Sequence, residues 1–178
     1  MNSKPHAGGV GIGVRLESPS SQGEHQAVRS VIQAAFVGDE EANLVEQLRG
    51  EYALLSLVAE RDSEIIGHAL FSRMWIQTPA ERISAVALAP LAIRPGHQRQ
   101  GTGGRLIREG LAMLRRGGER IVIVVGHPGY YPRFGFSSEK VRLLESPFSR
   151  EAFMGLELAD GALAGVQGAV VYPPPFGL

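Results

Sequence analysis

An apolar run from Ile83 to Ile93 passes through a Gln- and Gly-rich turn straight into a segment of helical periodicity, and this order constrains the fold more than any other stretch. The run is long for a strand, and Pro90 inside it removes a ladder donor, so the strand should bulge or bend there. From Gly103 to Arg116 the residues Leu106, Ile107, Gly110, Leu111 and Leu114 repeat at helical spacing, and Arg115-Arg116-Gly117 suits a helix C-terminus. Ile121 to Val125 then reads as a continuous buried strand. Strand, helix and strand in that order imply a parallel pair joined by a right-handed crossover.

The turn Arg94-Pro95-Gly96-His97-Gln98-Arg99-Gln100-Gly101-Thr102-Gly103-Gly104-Arg105 carries the chemistry. A glycine-rich turn that opens a helix presents successive backbone N–H groups beside the positive end of the helix dipole, which suits a phosphate or pyrophosphate. Gly101 and Gly103 lack the side chains that would hold such a ligand off, and Arg99 and Arg105 add charge for outlying phosphates. Taken alone, the glycines also fit a tight turn with no ligand. The chain has no Gly-x-x-x-x-Gly-Lys-Ser/Thr sequence, which argues against a P-loop nucleotidase. No acidic residue follows at the distance that a dinucleotide-binding βαβ unit requires.

The remaining periodicity surrounds this unit. Val14 to Glu17 predicts a short strand, and Ser18-Pro19-Ser20-Ser21 a turn able to cap a helix. Val28, Val31, Ile32, Ala35 and Phe36, then Leu44, Val45 and Leu48, predict two helices. Leu54–Glu60 and Ile65–Met74 predict a hairpin around Arg61-Asp62-Ser63-Glu64, and Val141–Leu144, Met154–Leu158 and Val166–Tyr172 predict short late strands. A chain of 178 residues, 44% hydrophobic, can build one sizeable core. The expected organisation is one domain over residues 14–178 after a flexible arm over 1–13, whose glycines stand where a signal peptide would have an apolar run.

Lys plus Arg number 18 and Asp plus Glu number 18, so no overall field collects nucleic acid or an anionic membrane surface. No apolar stretch approaches the roughly 20 residues of a membrane-spanning helix. The absence of cysteine excludes disulfides and a Cys nucleophile and fits a cytoplasmic location. His25, His68 and His97 have no metal-ligand spacing, so no metal is expected.

Two segments together resemble a known family. Gln98-Arg99-Gln100-Gly101-Thr102-Gly103 matches the Gln/Arg-x-x-Gly-x-Gly/Ala signature of the GNAT acetyltransferases, and Leu88 to Ile93 looks like that family's bulged central strand. After the next strand, Tyr130-Tyr131-Pro132-Arg133-Phe134-Gly135-Phe136 resembles its second cofactor-binding segment, and the order from Val14 to Phe136 is similar to the bacterial YhbS-type acetyltransferases. The resemblance implies an α/β (α+β) fold with a mixed, mostly antiparallel sheet flanked by helices and splayed between two central parallel strands. It places acetyl-CoA, as cosubstrate, in the splay. Main-chain groups of Leu91, Ala92 and Ile93 would then meet the pantetheine arm, and Gln98, Arg99, Gln100, Gly101, Thr102, Gly103 and Gly104 the pyrophosphate. Tyr131 aligns with the tyrosine that, in many relatives, protonates the departing thiolate.

The implied reaction is direct acetyl transfer to an amine of a small molecule, peptide or protein, by a chain that relatives suggest is a homodimer. Glu40, Glu41, Glu81 and His127 are the candidates for a general base. Tyr130 is a weaker candidate than Tyr131, and Phe134 and Phe136 read as core anchors. The segment after Ser137 is expected to close the sheet and shape the acceptor pocket. A rival reading, a coenzyme A-binding sensor or scaffold without turnover, shares the same cradle.

Overall fold

The computed structural model describes residues 11–178. The expected arm therefore lies outside the described residues through position 10, and Gly13 already belongs to a strand, β1 (Gly13–Leu16). Ser21 caps helix α1 (Gln22–Ala35) by accepting the Glu24 N–H at 3.3 Å, as the Ser-Pro-Ser-Ser turn anticipates. Helix α2 (Glu40–Leu48) follows, and Arg29 of α1 holds it through Glu46 at 2.8 Å and Asn43 at 3.0 Å. Strands β2 (Ala53–Arg61) and β3 (Glu64–Gln77) form the predicted hairpin. Asp62 and Ser63, with φ of 52° and 65°, make the two-residue left-handed turn whose twist matches that of paired strands.

Strand β4 (Arg82–Ile93), helix α3 (Thr102–Arg116) and strand β5 (Ile121–Val125) form the crossover unit, with Val86, Ala87 and Leu88 paired in parallel with Val122, Ile123 and Val124. Beyond it lie β6 (Leu144–Glu145), β7 (Phe153–Glu157) and β8 (Gly168–Val171). The main order is β1-β2-β3-β4-β5-β7, antiparallel except at β4–β5. Strand β3 is long enough to share one edge: β2 pairs along Glu64–Ser72, and β8 takes Trp75–Gln77 while pairing in parallel with β6.

The late strands depart from expectation at one point. Val141 lies in a 3-10 turn (Glu139–Val141), and only Leu144 and Glu145 extend as a strand. Both Val141 and Leu144 are buried, three residues apart, which a tight helical turn satisfies and an alternating strand does not. The segment after Ser137 closes the sheet as expected.

Helix α3 covers one face of the sheet, packing Leu106, Ile107, Leu111 and Leu114 on Leu57, Phe71, Val86 and Val122. Gly110 brings the helix onto the sheet, because a Cβ there would lie 2.3 Å from the Phe71 ring. Helices α1 and α2 cover part of the opposite face, over Val58, Ile65, Leu70 and Ala92. Met74, Ala85, Ala87, Ile121 and Ile123 form a separate cluster with Val141, Leu144 and Phe153.

Under α1 and α2 lies a buried polar network. Glu17 accepts from Arg49 at 2.6 Å and from the Ser56 hydroxyl, and Ser56 Oγ lies 2.8 Å from His68 Nε2. Ser56 has one proton and gives it to the carboxylate, so His68 must donate from Nε2. Complete burial pushes His68 down to about 4, with the Arg49 charge acting the same way and Glu17 opposing. His68 is therefore neutral in the fold and basic when unfolded, so its contribution to stability is full above about pH 6.5 and falls as the medium is acidified towards pH 4. Lowering the pH from 7 to 5 is expected to cost about 2 kcal/mol through this group. Denaturant titrations at both pH values, on wild type and His68→Gln, check it: a slope equal in the two proteins rules His68 out as the source.

Candidate active site

The parallel ladder ends at Leu88 and Val124, although β4 runs on to Ile93. Strand β5 stops one residue later, and the Gly126 N–H turns away to the Ala152 carbonyl at 2.9 Å. On the other side of β4, Leu88 pairs with Phe71 and Leu91 with Ala69, so Ala89 and Pro90 together face Leu70. This is the bulge predicted from Pro90. It keeps Leu88 and Leu91, three residues apart, on the α3 face. The Arg94 N–H bonds the Ile66 carbonyl of β3 at 2.9 Å. Alternation then directs the main chain of Ala92 to β3 and that of Leu91 and Ile93 to the open side. Gln98 Nε2 donates to the Ile93 carbonyl there at 3.0 Å.

The opened wedge is a cleft of about 890 Å³. It is lined from both faces of the sheet, with Ala35, Phe36 and Glu41 from α1 and α2, and Thr102, Gly103, Gly104 and Arg108 from α3. At its α3 end the chain makes a short 3-10 turn (Pro95–His97). Arg99 and Gly101 then adopt left-handed conformations, with φ of 59° and 85°. The first α3 bond back to the turn is Arg105 N–H to the Gly101 carbonyl at 3.0 Å, which leaves the N–H groups of Thr102, Gly103 and Gly104 without backbone partners. Three converging donors at a helix N-terminus form an anion cradle. A Cβ on Gly103 would stand 2.7 Å from the Tyr130 hydroxyl, so the floor of the cradle accepts no side chain.

The two tyrosines divide the site. Tyr130 reaches the cradle over Gly103 and carries Arg133 above its ring at 4.6 Å. Tyr131 lies against the backbone of Gly126 at the end of β5, where a Cβ would meet its ring at 2.2 Å, and packs edge-on to Phe136 at 5.8 Å. Burial, with the neighbouring Tyr130 adding to it, pushes the Tyr131 phenol up to about 12. The group is therefore a proton donor throughout the neutral range.

Of the residues singled out by sequence, Leu91, Ile93, Gln98, Arg99, Gly101, Thr102, Gly103, Gly104 and Tyr131 line this one cleft. Ala92 does not: it is buried under α1 and α2, with its main chain on β3. Gln100 lies outside the lining as well, bonding the Gly96 carbonyl at 3.1 Å and receiving Arg61 at 3.2 Å. Arg105, expected to reach outlying phosphates, does not line the cleft, and its Nη1 donates to the Ile12 carbonyl at 2.6 Å. Arg108 and Arg133 line the cleft instead. Arg108 sits two helical turns inside α3 at i+4 from Gly104, a spacing that could have drawn notice to it. Among the base candidates, Glu41 and His127 line the cleft, whereas Glu40 is exposed outside it and Glu81 sits in the β3–β4 turn. Phe134 also lines it, while Phe136 is fully buried, and no residue after Phe134 contributes to the wall. The C-terminal segment thus does not shape this cleft directly.

Comparison with known proteins agrees with this geometry. The sequence model described as Acetyltransferase (GNAT) domain matches residues 18–138. The chain is 35% identical over 167 residues to the "Uncharacterized N-acetyltransferase YhbS" of Escherichia coli K12, covering 92% of this chain and 97% of that protein. The crystal structure of Escherichia coli YhbS in complex with CoA superposes with a TM-score of 0.86 at 32% identity, covering 100% of this chain and 97% of the other. A GNAT family acetyltransferase of Brucella melitensis in complex with acetyl-CoA gives a TM-score of 0.76 at 32% identity over 94% and 99% of the two chains.

Proposed function

This chain belongs to the GNAT acetyltransferase family, and from that premise we propose that it binds acetyl-CoA in the wedge between β4 and β5 and transfers the acetyl group directly to an amine, with Tyr131 as general acid. One observation carries the reading: the unpartnered N–H groups opening α3, the unpaired edge of β4 and the Tyr131 phenol meet in a single cleft. The N–H groups of Thr102, Gly103 and Gly104 hold the pyrophosphate, and Arg99, Arg108 and Arg133 neutralise the remaining phosphate charge. The main-chain groups of Leu91 and the N–H of Ile93, whose carbonyl is already held by Gln98, orient the pantetheine arm as an added strand would.

When bound, the cosubstrate supplies an activated thioester. An N–H on the open edge beside the bulge stabilises the oxyanion as the amine adds to the carbonyl carbon. Tyr131 gives its proton to sulfur as the carbon–sulfur bond breaks, and the proton lost from the new amide nitrogen returns to the phenolate through solvent, so protons balance over a turnover. The high pKa keeps the phenol protonated but weakens it as an acid. The transfer must therefore accompany bond cleavage and cannot precede it.

Calorimetric titration with acetyl-CoA, coenzyme A and ATP tests the binding half without knowledge of the acceptor. Micromolar binding of both coenzyme A species and none of ATP is the expected result. A folded sample silent to both coenzyme A species overturns the assignment. Binding without coenzyme A release in the presence of any amine leaves a cofactor-binding scaffold.

A further inference from the structure

Charge is segregated along the cleft. Arg99, Arg108 and Arg133 line the side where α3 begins, whereas Glu41 is the one carboxylate among the described residues that line it. Glu41 comes from the first turn of α2 and lies with Ala35 and Phe36 of the end of α1, on the opposite face of the sheet from the cradle. Its Oε2 is shut off from solvent and has no hydrogen-bond partner in the protein. The same helix treats its other acids differently, since Glu40 is exposed and Glu46 is paired with Arg29. None of the cleft arginines bonds Glu41: Arg108 lies over the Phe134 ring, and Arg133 lies over Tyr130 and donates to the Gly129 carbonyl at 3.3 Å.

A carboxylate oxygen withdrawn from water without a donor costs stability, and a donor that arrives with a ligand relieves that cost. The arginines match the phosphates of the cosubstrate, and a carboxylate across the sheet matches the opposite charge. We propose that Glu41 is the acceptor-recognition residue: it receives the ammonium group of a primary amine that approaches from the α1–α2 side while acetyl-CoA occupies the α3 side, and the bound ammonium gives one proton to solvent before the neutral amine attacks the thioester. The proposal rests on the acetyltransferase reading above. Ala35, Phe36 and Pro90 line the cleft alongside it, so the amine it selects is carried on an apolar body.

The test uses the full chain saturated with coenzyme A, and compares wild type, Glu41→Gln and Glu41→Asp. Thermal stability is measured with millimolar phenethylamine, tyramine or spermidine, and with 2-phenylethanol as the uncharged counterpart of the first. Expected is a rise in melting temperature of wild type with phenethylamine and tyramine but not with 2-phenylethanol, lost in Glu41→Gln and partly kept in Glu41→Asp. For an amine that is acetylated, Glu41→Gln should raise KM about tenfold or more with acetyl-CoA affinity unchanged. Equal shifts in wild type and Glu41→Gln, or no shift from any of the three amines, overturn the proposal alone. Failure of wild type to bind acetyl-CoA removes the premise and the proposal with it.

Discussion

Tyr131→Phe is expected to lower kcat about 100-fold, equivalent to about 2.7 kcal/mol of transition-state stabilisation, while acetyl-CoA affinity stays within about threefold of wild type. The split follows from where the ring sits. Its body rests on Gly126 and Phe136, contacts that Phe preserves, so the variant loses the hydroxyl and little else. Because burial pushes the phenol up to about 12, the wild-type rate should also show no falling limb from this group between neutral pH and about pH 10. Tyr130→Phe is the control, since its hydroxyl stands over Gly103 and serves binding more than turnover. Steady-state kinetics with one acetylated amine, joined to calorimetry for acetyl-CoA, checks each part. Equal turnover in Tyr131→Phe and wild type would remove the residue from the mechanism.

Gly101→Glu should weaken acetyl-CoA binding by a factor of about 100 or more. Space is not the obstacle, because a Cβ at Gly101 meets nothing within 4 Å. Two other effects combine. The φ of 85° imposes roughly 1–2 kcal/mol on any residue with a side chain, and the new carboxylate places negative charge beside N–H groups that serve an anion. Gly101→Ala carries the first effect alone and Gly101→Asn relieves part of it, so the order of affinities should be wild type, Asn, Ala, Glu. Unchanged affinity in Gly101→Glu would refute the cradle. Equal losses in Ala and Glu would show that backbone conformation, and not charge, accounts for the effect.

The sequence by itself determined the crossover unit and the chemistry of its turn. Glycines at 101 and 103, a proline inside an apolar strand and a helical repeat from Leu106 to Leu114 all act over a few residues, through backbone conformation, a missing N–H and side-chain period. Such features survive in a linear reading because their physics is local. The same holds for the Ser21 cap and the Asp62-Ser63 turn.

What the tertiary structure decided depends on contacts between distant segments. Alternation along β4 could not say which residues of Leu91-Ala92-Ile93 point their main chain outward; that parity follows from the bulge and from the Arg94 bond to β3. Linear spacing pointed to Arg105 as a charge for outlying phosphates, whereas the fold brings Arg108 and Arg133 to the cleft wall and sets Arg105 beside the Ile12 carbonyl. The late Val141–Leu144 segment read as a strand until packing against β7 required a tight turn, where a Cβ on Gly155 would lie 2.4 Å from Val141. The burial that holds Tyr131 protonated, the placement of Tyr130 over Gly103, and the opposition of Glu41 to the cleft arginines each join residues far apart in the chain across a splayed sheet. Long-range strand pairing and desolvation create these properties, and neither is written in the identity of any one residue.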